Sequence, residues 1–550
     1  MRVYKKLIIL ILLLITIPLF SQNFSDSGSP AELAAAIVAA MTDEQALAQL
    51  LMLGWVGEDP SPLIMDWVRQ RQIGGIKIFG WNTSSTVRLA RAVGELQKAS
   101  LATQYAIPLL VATDQEGGWV RHIRGSTSET PGNMAIGASG YPRDAYLAGL
   151  YIGRELALLG VNMNFAPTVD LFTNRNSVLI GPRAFSSDPV NTGILGAAFA
   201  RGQLAAGVIH TAKHYPGHGD TALDSHGTLP RIEITYETLW DRELIPYRMM
   251  ISEGIPAIMS GHLSFPLTGG GATPASLSSW FLRDLLRDRL GFKGIVITDD
   301  LNMMGAVSYL RTIYLTAKQA ISAGNDIIMF SSTPFMNDQI WTHLVDSMRT
   351  DENFRDVVRA SARRVLELKL TYLRGELSVP YIPDIARVQS DLSDPQASAF
   401  FLDLAARSVT IVAPEDSKNA FPLSAENAGR VLLAGKYAEF FNYGRIAFPN
   451  AALLRYSAAP DVNYLITSAR NADTVVFCVS DSADLRALQS LRNLNKKVYV
   501  ISVLSPVHVE NIPWVSGALA VYSYAPESFA AAFSVIIGKI PAFGTLPYER

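Results

Sequence analysis

Eight short apolar runs, each followed by a longer amphipathic stretch, fill the chain from Leu33 to about Leu370. They are Gln49 to Gly54, Gly75 to Phe79, Pro108 to Thr113, Asn162 to Ala166, Val208 to Lys213, Ala257 to Ser260, Gly294 to Thr298 and Asp326 to Phe330. Short apolar runs alternating with helix-length segments are the rhythm of βαβ units, whose parallel strands are buried on both faces. Eight such strands close into a (β/α)8 TIM-like barrel, and the span is a little longer than the roughly 250 residues typical of one. Helices are expected over Pro142 to Leu159, Pro189 to Ala206, Tyr236 to Glu253 and Ser279 to Leu290, the last opening on a Ser cap.

The chain of 550 residues is too long for one barrel. Prolines and scattered acids between Leu373 and about Phe400 read as a linker, 373–400, leaving the barrel domain at 30–372. Beyond it, Ser408 to Ala413, Arg430 to Ala434, Thr474 to Val479, Lys497 to Leu504 and Ala518 to Tyr522 are again strand-like, with helices between. Residues 401–550 are therefore expected to form a smaller α/β sandwich domain, without the glycine-rich signature of a nucleotide site. At the other end, Arg2, Lys5 and Lys6 precede an apolar run from Leu7 to Phe20, shorter than the roughly 20 residues of a spanning helix. Residues 1–22 read as a secretory signal, with an uncleaved N-terminal anchor as the competing reading. Either way the remainder would be exported, periplasmic or secreted, with no stable membrane insertion after cleavage.

With 47 Lys and Arg against 49 Asp and Glu, and no long run of either sign, nothing marks a nucleic-acid partner. The single cysteine, Cys478, rules out an internal disulfide or a multi-cysteine metal site and reads as a buried small hydrophobe.

The polar residues at the ends of the apolar runs carry the chemistry. Asp114 and Glu116, Lys213 and His214, His262, then Asp299 and Asp300 each lie at or just past a strand end, the positions that converge on the C-terminal rim of a barrel. Adjacent strand residues point in opposite directions, so only one of Asp299 and Asp300 faces the axis; the other would be structural or cap the next helix. A carboxylate fixed there could attack an anomeric carbon, although capping and metal ligation compete for such a residue. Four of the eight histidines lie between His210 and His226. His210, His214 and His218 have the spacing of helical metal ligands, but Pro216, Gly217 and Gly219 break any helix through them, so no metal is expected. The same segment reads better as a strand ending in Lys213 and His214, followed by a mobile loop carrying Asp224 and His226. An Asp two residues from a His can accept its ring N–H and raise its basicity, making a general acid/base, unless His226 is simply a solvated loop residue.

Four segments together resemble the family 3 glycoside hydrolases, and within them the bacterial β-N-acetylglucosaminidases of β-hexosaminidase type. These are Asp114-Gln115-Glu116-Gly117-Gly118; Asn164 to Pro167 with Ile180 to Phe185; Lys213 to His226, the most specific of the four; and Thr298 to Leu301 with Met303. The C-terminal region is more weakly similar to the second domain of two-domain members, through Ala405 to Val412 and Phe421 to Leu423. The resemblance implies a retaining glycosidase, free of any cofactor, in which Asp299 is the nucleophile and the Asp224–His226 dyad replaces the second carboxylate as acid/base. It further implies that Asp114, Arg183, Lys213 and His214 bind the sugar hydroxyls and the 2-acetamido group. Met303 is expected near the acetamido side, an apolar core role being equally open. Two positions depart from the family pattern: Trp119 and His122 stand where arginine is usual, the second being a substrate-binding arginine in relatives. Arg121 or Arg124 is a candidate to supply the lost charge.

The expected partner is a carbohydrate, a non-reducing β-linked N-acetylglucosaminide from peptidoglycan fragments or chitooligosaccharides. The alternatives are a β-glucosidase or an N-acetylglucosaminide phosphorylase of the same family, or an inactive sugar-binding barrel.

Overall fold

The computed structural model describes residues 23–177, 179–413 and 421–549; the expected signal, 1–22, lies outside the described residues. All eight expected barrel strands are present: β1 (Leu51–Gly54), β2 (Gly75–Lys77), β3 (Leu110–Thr113), β4 (Met163–Asn164), β5 (Ile209–Tyr215), β6 (Ala257–Ser260), β7 (Ile295–Asp300) and β8 (Ile327–Phe330). They pair in parallel in chain order, and β1 closes the ring by pairing with both β2 and β8. Helices pack outside. Pro189–Ala205 starts on a proline, whose missing N–H costs nothing at the first helical position, and Asp188 accepts the N–H of Asn191 at 2.6 Å. The helix expected after Ser279 forms over Trp280–Arg289, but without the Ser cap: Ser279 already has helical backbone angles, and its hydroxyl makes no capping hydrogen bond.

The stretch 373–400 differs from an extended linker. It holds the helix Ile385–Asp391 and the start of Pro395–Ser408, each capped by an Asp, Asp384 and Asp394. Val388, Leu392, Ala397, Phe401 and Leu404 are buried in the barrel's own apolar cluster. Among the prolines and acids that suggested a linker, Asp384 and Asp394 cap these helices and Pro395 opens the second.

A second sheet follows: β9 (Thr410–Ala413), β10 (Val431–Gly435), β11 (Ala452–Arg455), β12 (Thr474–Val479), β13 (Lys497–Ser502) and β14 (Gly517–Ala520), in the order β9-β14-β13-β12-β10-β11. Only the β9–β14 pair is antiparallel. Apolar clusters cover both faces, and Cys478 is buried on β12. Strand β11 was absent from the sequence reading because it is an edge, with Leu454 its one buried side chain.

This domain packs on the loops that follow β3 and β4. Met134, Ala135, Phe172, Ile180 and Ala184 share an apolar cluster with its sheet, and Phe172 meets Tyr548 edge-on at 5.0 Å. Arg175 pairs with Glu510 at 2.7 Å, and Ser523 donates to the carbonyl of Thr130 at 3.2 Å. Among the described residues no helix is long and apolar enough to cross a membrane.

Candidate active site

The rim residues form one buried ionic network. Asp114 directly follows β3, and β4 is tied to the same turn: Asn164 accepts the Gln115 N–H and donates to the Gln115 carbonyl, both at 2.9 Å. Gly117 and Gly118, at φ +93° and +60°, then turn the chain into a small hairpin that a Cβ would strain. Lys213, near the end of β5 and almost fully buried, bridges Asp114 at 2.5 Å and Glu116 at 2.6 Å. Arg183, from the turn Gly181–Arg183 after β4, holds Glu116 with two parallel bonds of 2.9 and 2.8 Å. Burial would raise the Glu116 carboxyl, but Arg183 and Lys213 outweigh it and hold it down at about 2. Asp114 is likewise driven well below the carboxylate range, burial being overcome by Lys213, Lys77 and His122. Both remain anionic acceptors and neither can serve as a proton donor near neutral pH.

His214 follows Lys213. Its Nδ1 lies 2.7 Å from Asp170 Oδ2, a contact to a carboxylate that places the proton on Nδ1, and its Nε2 lies 3.5 Å from Arg183. Asp170 also accepts the backbone N–H of His218 at 2.7 Å, anchoring the start of the loop that leads to Asp224.

Asp299, the last residue but one of β7, is half-buried, and its Oδ1 accepts the N–H of Asp300 at 2.8 Å. Burial raises its carboxyl, yet His214, His262 and that N–H bring it below the usual value, so it is an anion in the field of the rim. Asp300 turns the other way: its Oδ1 accepts the N–H groups of Asn302 and Ser331, both at 3.0 Å, locking the β7 and β8 loops together.

Asp224 and His226 form a direct pair, Nδ1 to Oδ1 at 2.6 Å, with the His226 N–H on the same oxygen at 2.9 Å. The Asp224 carboxyl is lowered, its partial burial being offset by these two His226 bonds. Both side chains are more than half exposed, and among the described residues no hydrogen bond joins them to the Asp114–Arg183 network. Their loop is nevertheless tied beside the nucleophile candidate: the N–H groups of Met304 and Gly305 donate to the carbonyls of His226 and Ser225 at 3.3 and 3.1 Å. Gly305 permits this approach, since a Cβ there would lie 2.8 Å from the Ser225 oxygen and 3.1 Å from His262. Met303 is buried immediately before that contact and precedes the helix Met304–Leu310.

Two residues that the sequence reading did not single out belong to this site, Lys77 and Asp170, and Glu116, read there only as a rim residue, is the carboxylate that Lys213 and Arg183 share. The signal for Lys77 was a lysine inside an otherwise apolar strand. Lys77 is fully buried and pairs with Asp114 at 2.7 Å, a second cation on that carboxylate beside Lys213. Arg121 is held by Glu129, and Arg124 is exposed with no side-chain partner among the described residues. Of His210, His214 and His218, the last two meet edge to face with ring centroids 5.7 Å apart; among the described residues no group of three His, Cys, Asp or Glu is placed to hold a metal ion.

Beneath the dyad loop, Glu243 is buried against Gly217, and burial lifts its carboxyl to about 7 despite Arg242. In the unfolded chain it ionises near 4.5, so the folded protein binds the extra proton between these values and stability falls as pH rises through that window. Glu243→Gln should flatten that fall by about 3 kcal/mol, read from denaturation at pH 5 and 7.5. An unchanged pH slope would show that Glu243 ionises normally.

Comparison with known proteins identifies the frame. The glycosyl hydrolase family 3 N-terminal domain matches residues 41–368. Beta-hexosaminidase A of Pseudoalteromonas piscicida is 27% identical over 92% of this chain and 97% of its own length. The structure of a family 3 β-N-acetylglucosaminidase from Paenibacillus sp. str. FPU-7 superposes with a TM-score of 0.83 at 28% identity, covering 92% of this chain and 99% of that one. A fungal multi-domain family 3 β-N-acetylglucosaminidase gives a TM-score of 0.84 at 29% identity over 92% of this chain, which spans only 61% of the fungal protein. With the barrel closed, its rim charged as described and the family domain matching more than half of its length, the chain belongs to glycosyl hydrolase family 3.

Proposed function

We propose that the protein is a retaining β-N-acetylhexosaminidase that removes non-reducing β-linked N-acetylglucosamine from peptidoglycan fragments or chitooligosaccharides. The observation that carries this reading is the Asp224–His226 pair, 2.6 Å apart, on a loop hydrogen-bonded to the segment that follows Asp299. Its support is the naming of the relatives above as β-hexosaminidase and β-N-acetylglucosaminidases. In the first step Asp299 attacks the anomeric carbon while the bond to the leaving oxygen breaks and His226 Nε2–H protonates that oxygen. In the second, neutral His226 takes a proton from water, which attacks the same carbon and releases Asp299. Asp224 keeps the Nδ1–H in place throughout. A histidine suits a site whose nucleophile must stay anionic, because its neutral form adds no like-charge repulsion.

Asp114, Lys213, Arg183 and His214 are assigned to the sugar. Lys213 spends two N–H groups on Asp114 and Glu116 and retains one for a ligand oxygen. We further propose, on the secretory leader read in residues 1–22, that the reaction takes place outside the inner membrane.

The test is release of p-nitrophenol from the N-acetylglucosaminide and the glucoside by the wild type and His226→Ala. The N-acetylglucosaminide should be strongly preferred, and the variant should lose about 10²-fold in kcat, less on aryl substrates than on oligosaccharides. Preference for the glucoside, or full activity without His226, would overturn the proposal.

A further inference from the structure

We propose that the second domain is a positioning element of the sugar site: its segment 545–549 and Glu510 clamp the loop between β4 and the helix Pro189–Ala205, and so hold Arg183 on the barrel rim. The inference rests on the glycosidase reading above, which assigns Arg183 to the sugar, and adds to it a part for the second domain in substrate binding.

The loop needs support from outside the barrel. Between β4 and Pro189 the one helical turn among the described residues is Gly181–Arg183, so a long irregular segment carries two residues of the site, Asp170 and Arg183. Such a segment keeps one conformation only where packing and hydrogen bonds offset its conformational entropy. The two bonds to Glu116 fix the guanidinium of Arg183, but the backbone that delivers it is held elsewhere. Ile180 and Ala184, on either side of Arg183, are fully buried in the apolar cluster of the second sheet. The second domain thus supplies part of the core on which this turn rests.

Hydrogen bonds grip the loop on both sides of Arg183. On the side toward Asp170, Arg175 donates to Glu510 at 2.7 Å and to the Glu549 carbonyl at 2.8 Å, while the Tyr548 hydroxyl donates to the same Glu510 at 2.6 Å. On the far side, the Pro547 carbonyl accepts the Ser186 hydroxyl at 2.7 Å and the Ser187 N–H at 3.0 Å. The two sides are joined, since the Phe172 N–H donates to the Ser186 carbonyl at 3.0 Å. A third contact reaches Arg183 through the helix Asn133–Ser139. The Thr545 N–H donates to the Ala138 carbonyl at 3.1 Å near the end of that helix, and Asn133 at its start donates to the Arg183 carbonyl at 2.8 Å. Gly137 leaves room for the three chains to meet: a Cβ there would lie 1.8 Å from the Phe185 carbonyl oxygen and 3.0 Å from Pro547.

The experiment compares the wild type with Arg175→Met, Tyr548→Ala, a chain ended after Gly544, and Phe440→Leu, a control buried on the opposite face of the second sheet. Each is followed by steady-state kinetics on p-nitrophenyl N-acetylglucosaminide, by a thermal melt and by hydrogen–deuterium exchange. The three clamp variants should raise KM about tenfold with kcat within about threefold, because a misplaced Arg183 weakens binding of the sugar in ground state and transition state alike. They should also speed exchange within 171–187. Phe440→Leu should lower the melting temperature and leave both KM and that exchange unchanged. In an Arg183→Gln background the truncation should add less than about twofold to KM, since the residue through which it acts is gone. An unchanged KM and exchange in the clamp variants, a rise as large in the Arg183→Gln background, or an equal rise in Phe440→Leu would overturn the inference. If the truncated chain fails to fold, Arg175→Met, which removes a partly exposed side chain, decides. A wild type inactive on the N-acetylglucosaminide would sink the glycosidase reading instead, while exchange within 171–187 would still decide whether the second domain holds the Arg183 loop.

Discussion

Asp299→Ala should reduce turnover of any N-acetylglucosaminide on the order of 10⁴-fold, with little change in folding. The expected loss is large because the carboxylate forms the covalent bond in the first step and leaves in the second, so both barriers rise. The fold should survive because Asp299 is no strut: it is half-buried at a strand end, and its hydrogen bond is the local one from the Asp300 N–H. Asp300 is the contrasting residue, since it ties the β7 and β8 loops through Asn302 and Ser331. Kinetics beside a thermal melt of each variant separates the two. Activity of Asp299→Ala within tenfold of the wild type would remove Asp299 from the mechanism.

Lys213→Met should destabilise the barrel by about 3 kcal/mol in chemical denaturation. Lys213 sits between two buried carboxylates, Asp114 and Glu116, and its removal leaves an uncompensated negative charge. The cost falls at the low end for a broken buried pair, because Lys77 still holds Asp114 and Arg183 still holds Glu116. The control is Lys318→Met, which breaks a partly exposed pair with Asp351 at 3.3 Å and should cost less than about 1 kcal/mol. Equal effects of the two variants would mean that the rim network adds nothing to stability.

The barrel was legible in the sequence because each strand is an apolar run that stops at a polar rim residue, and closure then follows from the count. The motif residues were legible too, as the polar ends of those runs. What escaped was whatever depends on a partner distant in sequence. Asp170 is an ordinary loop acid until β5 brings His214 and His218 to it. Lys77 looks like a polar interruption of a core strand until β3 delivers Asp114 and the hairpin delivers His122. Strand β11 escaped for the opposite reason, since an edge strand with one buried residue has too little apolar signal. The helices inside 373–400 were hidden by their own caps, because a proline or an Asp at a helix start looks the same as one in a linker.

Trapping the glycosyl-enzyme tests the central claim most directly. The purified protein would be incubated with a 5-fluoro N-acetylglucosaminyl fluoride, which forms the intermediate and hydrolyses slowly, then digested and mapped by mass spectrometry. The account predicts a single sugar adduct on Asp299 that is absent from Asp299→Ala and decays with the return of activity. An adduct on Asp300, or no adduct while the reagent is turned over, would contradict it.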